Sequence, residues 1–138
     1  MGDDNPEIDG LIDEHRELIA IGASLRRAMG QPDSELDGLL DQLKAQLAHH
    51  TEREEAGLFH TLHESDVPPE YMGLFEHDHG HFVDLIDSAK RDRHSVDDVL
   101  RSLEAHMLRE ETDMFPAAEQ LLGPADWDTI EAAVAHLR

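Results

Sequence analysis

The sequence predicts an all-α protein, an antiparallel up-down four-helix bundle with a short extra helix at the C-terminus. Three observations predict it. Apolar residues recur at steps of three and four along four long stretches, turn-forming residues separate these stretches, and the second half repeats a motif of the first. A chain of 138 residues suffices for one core. We therefore expect a single domain over residues 1–138, with the bundle at about 6–122 and the C-terminal helix at about 124–137.

The first two helices have recognisable boundaries. Asn5 can cap the first helix, and Pro6 suits its first position, where no backbone donor is needed. The segment 30–32, Gly-Gln-Pro, should end this helix. The second helix should begin near Asp33 and end before the segment 65–69, because its two prolines cannot continue a helix.

The third and fourth helices follow the same logic. The predicted inward face of the third helix consists of Tyr71, Leu74, His77, His81, Leu85 and Ser88. The polar segment 91–94 should end it, and the fourth helix should begin in the segment 95–98. Pro116 should kink or interrupt the last turns, because it lacks a backbone donor. After the stop at Gly123-Pro124, apolar residues at helical spacing predict the C-terminal helix.

The two halves share a motif of His, three residues and Glu. His50 and Glu54 recur 56 residues later as His106 and Glu110. On a helix, residues four apart lie about 40° from each other around the axis, so each His and Glu project into one space. Metal sites in helical bundles are built from such pairs on facing helices.

Each motif is preceded by a Glu-His pair on the predicted partner helix. These pairs are Glu14-His15 and Glu76-His77, and the third helix adds His81 four residues further on. The candidate metal ligands are therefore His15, His50, Glu54, His77, His81, His106 and Glu110.

These seven side chains fall on stripes that otherwise hold Leu, Ile and Met. Burying them without compensation would cost several kcal/mol each, against a domain stability of roughly 5–15 kcal/mol. Cations would compensate them, because they hold neutral imidazole and ionised carboxylate in place. Seven ligands exceed the four of a closed zinc site, and the mixed set suits a pair of iron, manganese or zinc ions bridged by Glu54 and Glu110.

The remaining histidines and the neighbouring acids are predicted outside this set. His79 lies about 200° around its helix from His77, and His49 about 100° from His50. Residues assigned to solvated or outer roles are His60, His63, Glu55 and Glu111, and no role is assigned to His94 and His136.

Composition excludes several function classes. There is no cysteine, which excludes disulfides, iron–sulfur clusters, thiolate zinc sites and thiol nucleophiles. The net charge of −21 disfavours nucleic acids and anionic membrane surfaces as partners. No apolar run approaches the ~20 residues that cross a bilayer, so we expect a cytoplasmic protein.

The pattern resembles the hemerythrin-like, or HHE cation-binding, family over residues from about 8 to 122. The resemblance is carried by His15, His50-x-x-x-Glu54, His77-x-x-x-His81, and His106 followed by Glu110 and Glu111. It implies a four-helix bundle holding two oxo- or hydroxo-bridged iron ions. The chemistry of the donor set also suits zinc or manganese as substitutes. Hemerythrins place an Asp five residues after the last His, where this chain has Glu111. We favour Glu110 as the ligand because the repeat pairs it with Glu54, although a helical bulge would favour Glu111.

Three functions remain open at this point. The resemblance implies binding or sensing of O2 or of related ligands such as nitric oxide and peroxide. An enzyme that removes peroxide or nitric oxide, or an iron-handling or regulatory protein read by a partner, would use the same centre. Because the first half has Ile19 where the second has His81, the sequence also predicts that the open coordination position lies on the metal held by His15 and His50.

Overall fold

The computed structural model describes residues 5–137, and over this range the chain is helical with no strand. The first half contains α1 (Pro6–Ala28), α2 (Asp33–Arg53), a π-helical segment (Glu54–Phe59) and α3 (His60–His63). The second half contains α4 (Pro69–Arg91), a 3-10 turn (Arg93–Ser95), α5 (Val96–Arg109), a π-helical segment (Glu110–Met114), α6 (Phe115–Leu121), α7 (Pro124–Val134) and a final 3-10 turn (Ala135–Leu137).

The predicted helix boundaries are confirmed where capping chemistry sets them. Asn5 caps α1, since its side-chain oxygen accepts a hydrogen bond from the Ile8 amide at 3.1 Å, and Pro6 occupies the first helical position. The all-α prediction is confirmed for the described residues. Residues 1–4 and 138, which the predicted domain includes, lie outside them.

Both helices that carry the His-Glu motif change to π-helical hydrogen bonding at the Glu. The change occurs at Glu54 in the first half and at Glu110 in the second. A π-helical turn holds more residues than an α-helical turn, so the residues that follow are rotated relative to a regular helix. The predicted interruption near Pro116 thus lies just before the proline, which occupies the first turn of α6.

The apolar core consists of two clusters separated along the helix axes by a polar layer. One cluster is built largely from Leu18, Leu25, Leu40, Leu43, Phe82, Ile86, Leu100 and Leu103. The other includes Ile8, Leu11, Leu58, Phe59, Met72, Phe75, Met114, Phe115 and Ile130. His15, Glu54, His79 and Glu110 each lie between a stretch that contributes to one cluster and a stretch that contributes to the other.

The C-terminal helix α7 packs against the π-helical segment of the first half. The contact needs a glycine, because a Cβ atom at Gly57 would lie 2.7 Å from Val134 Cγ1 and 3.1 Å from Ile130 Cγ2. The C-terminal helix that the sequence predicts is therefore present, and it packs on this part of the first half. No helix between residues 5 and 137 has the length and apolarity to cross a membrane, and a cytoplasmic location stays a prediction.

Candidate metal centre

Six buried side chains meet in the polar layer and form two overlapping groups. The first position consists of His15, His50, Glu54 and Glu110, and the second position consists of Glu54, His79, His106 and Glu110. Within each position, one nitrogen or oxygen from every residue lies within 4.8 Å of the others. Glu54 and Glu110 belong to both positions, so the two positions are adjacent and have these two carboxylates in common.

Glu54 directs one carboxylate oxygen to each position. Its Oε2 lies 3.3 Å from His50 Nε2, and its Oε1 lies 3.1 Å from His79 Nε2. The link to His50 follows from the four-residue spacing in α2, whereas His79 comes from α4. The first-half motif is therefore completed by a histidine from the second half.

Glu110 repeats this arrangement with the roles of the halves exchanged. Its Oε1 lies 3.0 Å from His15 Nε2, and its Oε2 lies 3.2 Å from His106 Nε2. The Nε2 atoms of His15 and His50 are themselves 3.1 Å apart, as ligands of one ion would be. With Glu54, the centre thus has two carboxylates that each face both positions, which is the geometry of bridging ligands.

Each of the four histidines contacts a carboxylate through Nδ1, the ring nitrogen that does not face the centre. The Nδ1 contacts are His15 with Glu111 at 2.7 Å, His50 with Glu14 at 2.7 Å, His79 with Glu55 at 2.8 Å and His106 with Asp78 at 2.9 Å. A carboxylate at Nδ1 places the ring proton there and leaves Nε2 free as a ligand. Each imidazole is therefore oriented with Nε2 toward the centre, where it would bind a metal in its neutral form.

The charges in the centre shift several pKa values. Burial lowers the pKa of His50, but Glu54 and Glu14 outweigh it and raise the value to about 10. Burial likewise opposes the charge of His79, whose pKa is raised to about 9 by Glu54 and then Glu55. Without a cation, protons on these imidazoles compensate the buried carboxylates.

The pKa values of the remaining groups of the centre shift in opposite directions. Burial and the charge of Glu54 raise the pKa of Glu110 to about 8. Burial raises the pKa of Glu54, but His50 more than offsets it, so the pKa lies well below the ordinary value. Burial lowers the pKa of His106 despite its contact with Asp78.

A metal pair fits these residues, because the atoms that would bind it are buried and mostly unpaired. Both oxygens of Glu54, Oε2 of Glu110, and Nε2 of His79 and of His106 have no hydrogen-bond partner among the described residues. A buried polar atom without a partner costs about 1–3 kcal/mol. Without a cation, only the protons on His50 and His79 compensate the buried carboxylates, whereas cations would bind these atoms directly.

The expected inward position of His77 and His81 is wrong. Both side chains are exposed, and their rings stack on each other with centroids 6.2 Å apart. The buried face of α4 instead consists of Met72, Phe75, His79, Phe82, Ile86 and Ala89. This row carries two Phe residues in addition to Met and Ile, so it buries more apolar surface than the predicted row, in which Leu74 remains 64% exposed.

The sequence contained a signal for His79. Met72, Phe75, His79, Phe82, Ile86 and Ala89 alternate steps of three and four without a break. Asp78-His79 is also an acid-His pair, and it is the structural counterpart of Glu14-His15, since Glu14 and Asp78 hold His50 and His106 in the same way. Glu76-His77 matches Glu14-His15 in residue type, but it lies two residues before the pair that faces the centre.

The proposed location of the open coordination position loses its basis with this correction. That location depended on His81 in the centre and on Ile19 as its apolar counterpart, but His81 is exposed and Ile19 is 47% exposed. Each position instead has two histidines and the same two carboxylates.

The two acids that follow the ligand glutamates have clear places. Glu110 faces the centre, as the repeat predicts, and Glu111 holds His15 from behind. Glu55 holds His79 in the same way. The sequence left two roles open for Glu55 and Glu111, exposure to solvent or contact with a metal ligand. The structure shows the second role for both residues.

Buried imidazole and carboxylate groups with free donor atoms, at the centre of an all-helical chain, define the chain as a helical metal-binding protein. A comparison with protein-family models leads to the same class, since the model described as "Hemerythrin HHE cation binding domain" matches residues 7–118. The chain belongs to this family. No curated protein and no solved structure gave a significant match.

Proposed function

We propose that this chain is a non-haem di-iron protein that binds or senses O2, or a related small ligand such as nitric oxide or peroxide. The observation that carries the proposal is the pair of shared glutamates, each of which directs one oxygen to His15 or His50 and the other to His79 or His106. Two ions bridged by carboxylates would use every unpaired atom in the centre.

The roles of the residues follow from this arrangement. We propose that His15 and His50 hold one ion, that His79 and His106 hold the other, and that Glu54 and Glu110 bridge the two. Iron bound there would supply reversible redox chemistry and affinity for diatomic ligands. Of the seven ligands predicted from the sequence, five remain in the proposal and His79 replaces both His77 and His81.

The proposed scaffold is an antiparallel up-down four-helix bundle. Its support is the order of contacts between helices. Along α1, Glu7, Glu14 and Glu17 contact Arg53, His50 and Gln46 of α2 in reverse order. In the second half, Tyr71 and Asp78 contact Asp113 and His106 in reverse order.

Reconstitution with ferrous iron tests the proposal. Metal-free protein would be loaded anaerobically, freed of loose metal on a desalting column, and analysed for iron per chain and for absorption before and after exposure to air. We expect two irons per chain and, in air, the near-ultraviolet charge-transfer bands of a bridged ferric pair. Binding of less than one iron, or iron without these bands, would contradict a di-iron centre.

A peroxide assay separates a binding protein from an enzyme. Iron-loaded protein would be mixed with excess hydrogen peroxide in a stopped-flow instrument while the peroxide concentration is followed. A ligand-binding or sensing role predicts at most a few turnovers per chain. Sustained turnover would identify the centre as a peroxide-removing enzyme, and the same design with nitric oxide tests the second substrate.

A further inference from the structure

The two metal positions differ in the residues behind them, although their ligands match. Resting on the proposed function, we infer that the first position (His15, His50) is the tighter and fills first, whereas the second position (His79, His106) exchanges its ion with solution. Arg53 is a positioning residue that acts on His50 of the first position through Glu14. A cleft between α2 and α4 is the route by which an ion enters and leaves the second position.

Arg53 anchors the acid that orients His50. Its Nη1 donates to Glu14 Oε2 at 2.9 Å, while Glu14 Oε1 contacts His50 Nδ1 at 2.7 Å. On its other side Arg53 forms a fork with Glu7, donating from Nε at 3.1 Å and from Nη2 at 2.9 Å. Arg53 is 8% exposed and Glu7 is fully buried. Because Arg53 is buried and donates to both Glu7 and Glu14, Glu14 has little freedom to move, and the same holds for His50, which Glu14 contacts.

The equivalent arginine of the second half is bound much more loosely. Arg109 contacts Asp78, which holds His106, but the Arg109 side chain is 59% exposed. Glu7 has no counterpart there, because the structurally equivalent residue is Tyr71, whose hydroxyl donates to Asp113 instead. An exposed arginine–carboxylate pair is worth only about 0–1 kcal/mol. His106 is therefore oriented less firmly than His50.

A glycine makes the buried arginine fit. A Cβ atom at Gly10 would lie 2.5 Å from Arg53 Nη2 and 3.0 Å from Nη1, so α1 has room for the guanidinium only because Gly10 has no side chain. In the second half the equivalent position on α4 is Leu74, which is 64% exposed.

A surface cleft extends to the second position. A cleft of about 530 Å³ between α2 and α4 is lined by Leu47, Thr51, Glu55, His79 and Val83, among others. It reaches both His79 and the acid that orients it. In the repeat, the counterpart of Thr51 is Met107, which is 3% exposed and belongs to the core. A buried Met in place of a half-buried Thr fills the corresponding space near the first position.

These differences should separate the two positions by an amount that can be measured. Changes to the groups that orient metal ligands typically alter metal affinity 10–100-fold. We therefore expect two binding steps whose dissociation constants differ by about that factor. The ion at the second position should also leave faster when a chelator is added.

Cobalt(II) is a suitable probe, because its visible absorption reports coordination without redox chemistry. Metal-free protein would be titrated with Co2+, and the release of both ions would then be followed after adding excess EDTA. We expect one fast and one slow phase of equal size. The single-position variant His79→Ala should retain the slow phase, and His15→Ala should retain the fast phase.

The positioning role of Arg53 is tested through Gly10→Ala. This change presses on the buried guanidinium, and the overpacking costs about 1–3 kcal/mol, of which the higher helix propensity of Ala offsets about 0.5–1 kcal/mol. Circular dichroism and a melting curve verify that the variant is folded before metal is added. We expect at least about 10-fold weaker Co2+ binding in the tight step with the weak step unchanged. In the matched control, Arg109→Ala, the tight step should stay unchanged.

The cleft is tested through Thr51→Met, which introduces the residue of the other half. It should slow the fast phase severalfold and leave the slow phase as it is. Two Co2+ ions that bind in one step and leave in one phase, or an unchanged tight step in Gly10→Ala, would overturn the inference while leaving the di-metal centre intact. Failure of the parent protein to bind Co2+ at all would instead refute the proposed function.

Discussion

Replacing His79 by alanine distinguishes the structural ligand set from the one that the sequence predicted. His79 is 6% exposed, supplies one of four donors to the second position, and stacks on Phe59 with ring centroids 5.4 Å apart. In the structure-based set its loss should abolish tight binding of one ion. In the sequence-based set His79 is outside the centre, and His77→Ala or His81→Ala should have this effect instead.

The size of the effect follows from the role of the residue. Altering a group that only orients a ligand costs 10–100-fold in affinity, so losing the ligand itself should cost more than 100-fold, or at least about 2.7 kcal/mol. Binding stabilises the folded state by the same free energy when metal is in excess. For a chain of this length, 1 kcal/mol corresponds to roughly 3–4 °C in the melting temperature. The metal-induced rise in melting temperature should therefore be roughly 10 °C smaller in His79→Ala.

The assay compares each variant with and without metal, so that any loss of packing against Phe59 cancels. His77→Ala and His81→Ala are the matched controls, since both residues lie on the exposed face of the same helix. We expect both controls to keep two ions and the full metal-induced shift. Retention of two tightly bound ions by His79→Ala, or loss of one by His77→Ala, would refute the assignment of α4.

Further predictions concern the bridging and orienting acids, pH and the metal itself. Glu54→Ala should reduce the metal content below two ions per chain, because both positions lose an oxygen, whereas the exposed Glu52→Ala should not; elemental analysis after dialysis checks this. Glu55→Ala should lower the affinity for one ion by about 10–100-fold in a chelator competition, because Glu55 orients His79. In metal-free protein, the raised pKa values of His50 (about 10) and His79 (about 9) contribute stability that is complete below pH 6.5 and is lost as pH rises toward 9–10. Urea unfolding should therefore show stability falling from pH 6.5 to 9, by up to about 1.4 kcal/mol per histidine and pH unit, while the metal-induced stabilisation grows. At pH 7.5, removing metal should lower the melting temperature, and equal values with and without metal would show that the buried acids are already compensated.

Most of the centre could be predicted because a four-residue spacing on a helix fixes which side chains share a face. His50 with Glu54, and His106 with Glu110, required only this rule and the repeat. His15 was found because it continues an apolar stripe of α1. The prediction for α4 is wrong because two rows of this helix are both partly apolar, and the row with two Phe residues, not the row with two histidines, faces the core.

Other parts of the centre could not have been predicted from spacing. The π-helical turns at Glu54 and Glu110 depend on backbone hydrogen bonds that tertiary packing selects, and no residue type specifies them. The burial of Arg53 requires the close approach of α1 and α2 at Gly10, which a sequence pattern does not reveal. For Glu55 and Glu111, spacing left both a solvated role and a role beside the metal ligands open, because it does not show which histidines of other helices they contact.

The exchange of partners between the halves has a consequence for how the molecule unfolds. Glu54 of the first half contacts His79 of the second, and Glu110 of the second contacts His15 of the first, so neither half contains a complete position. An ion in either position would therefore link segments that are far apart in the chain. Partial opening, in which one half separates while the other stays folded, would remove at least one ligand from each ion. Metal would thus join two hairpins into one cooperative unit, and its loss would allow each to fray independently.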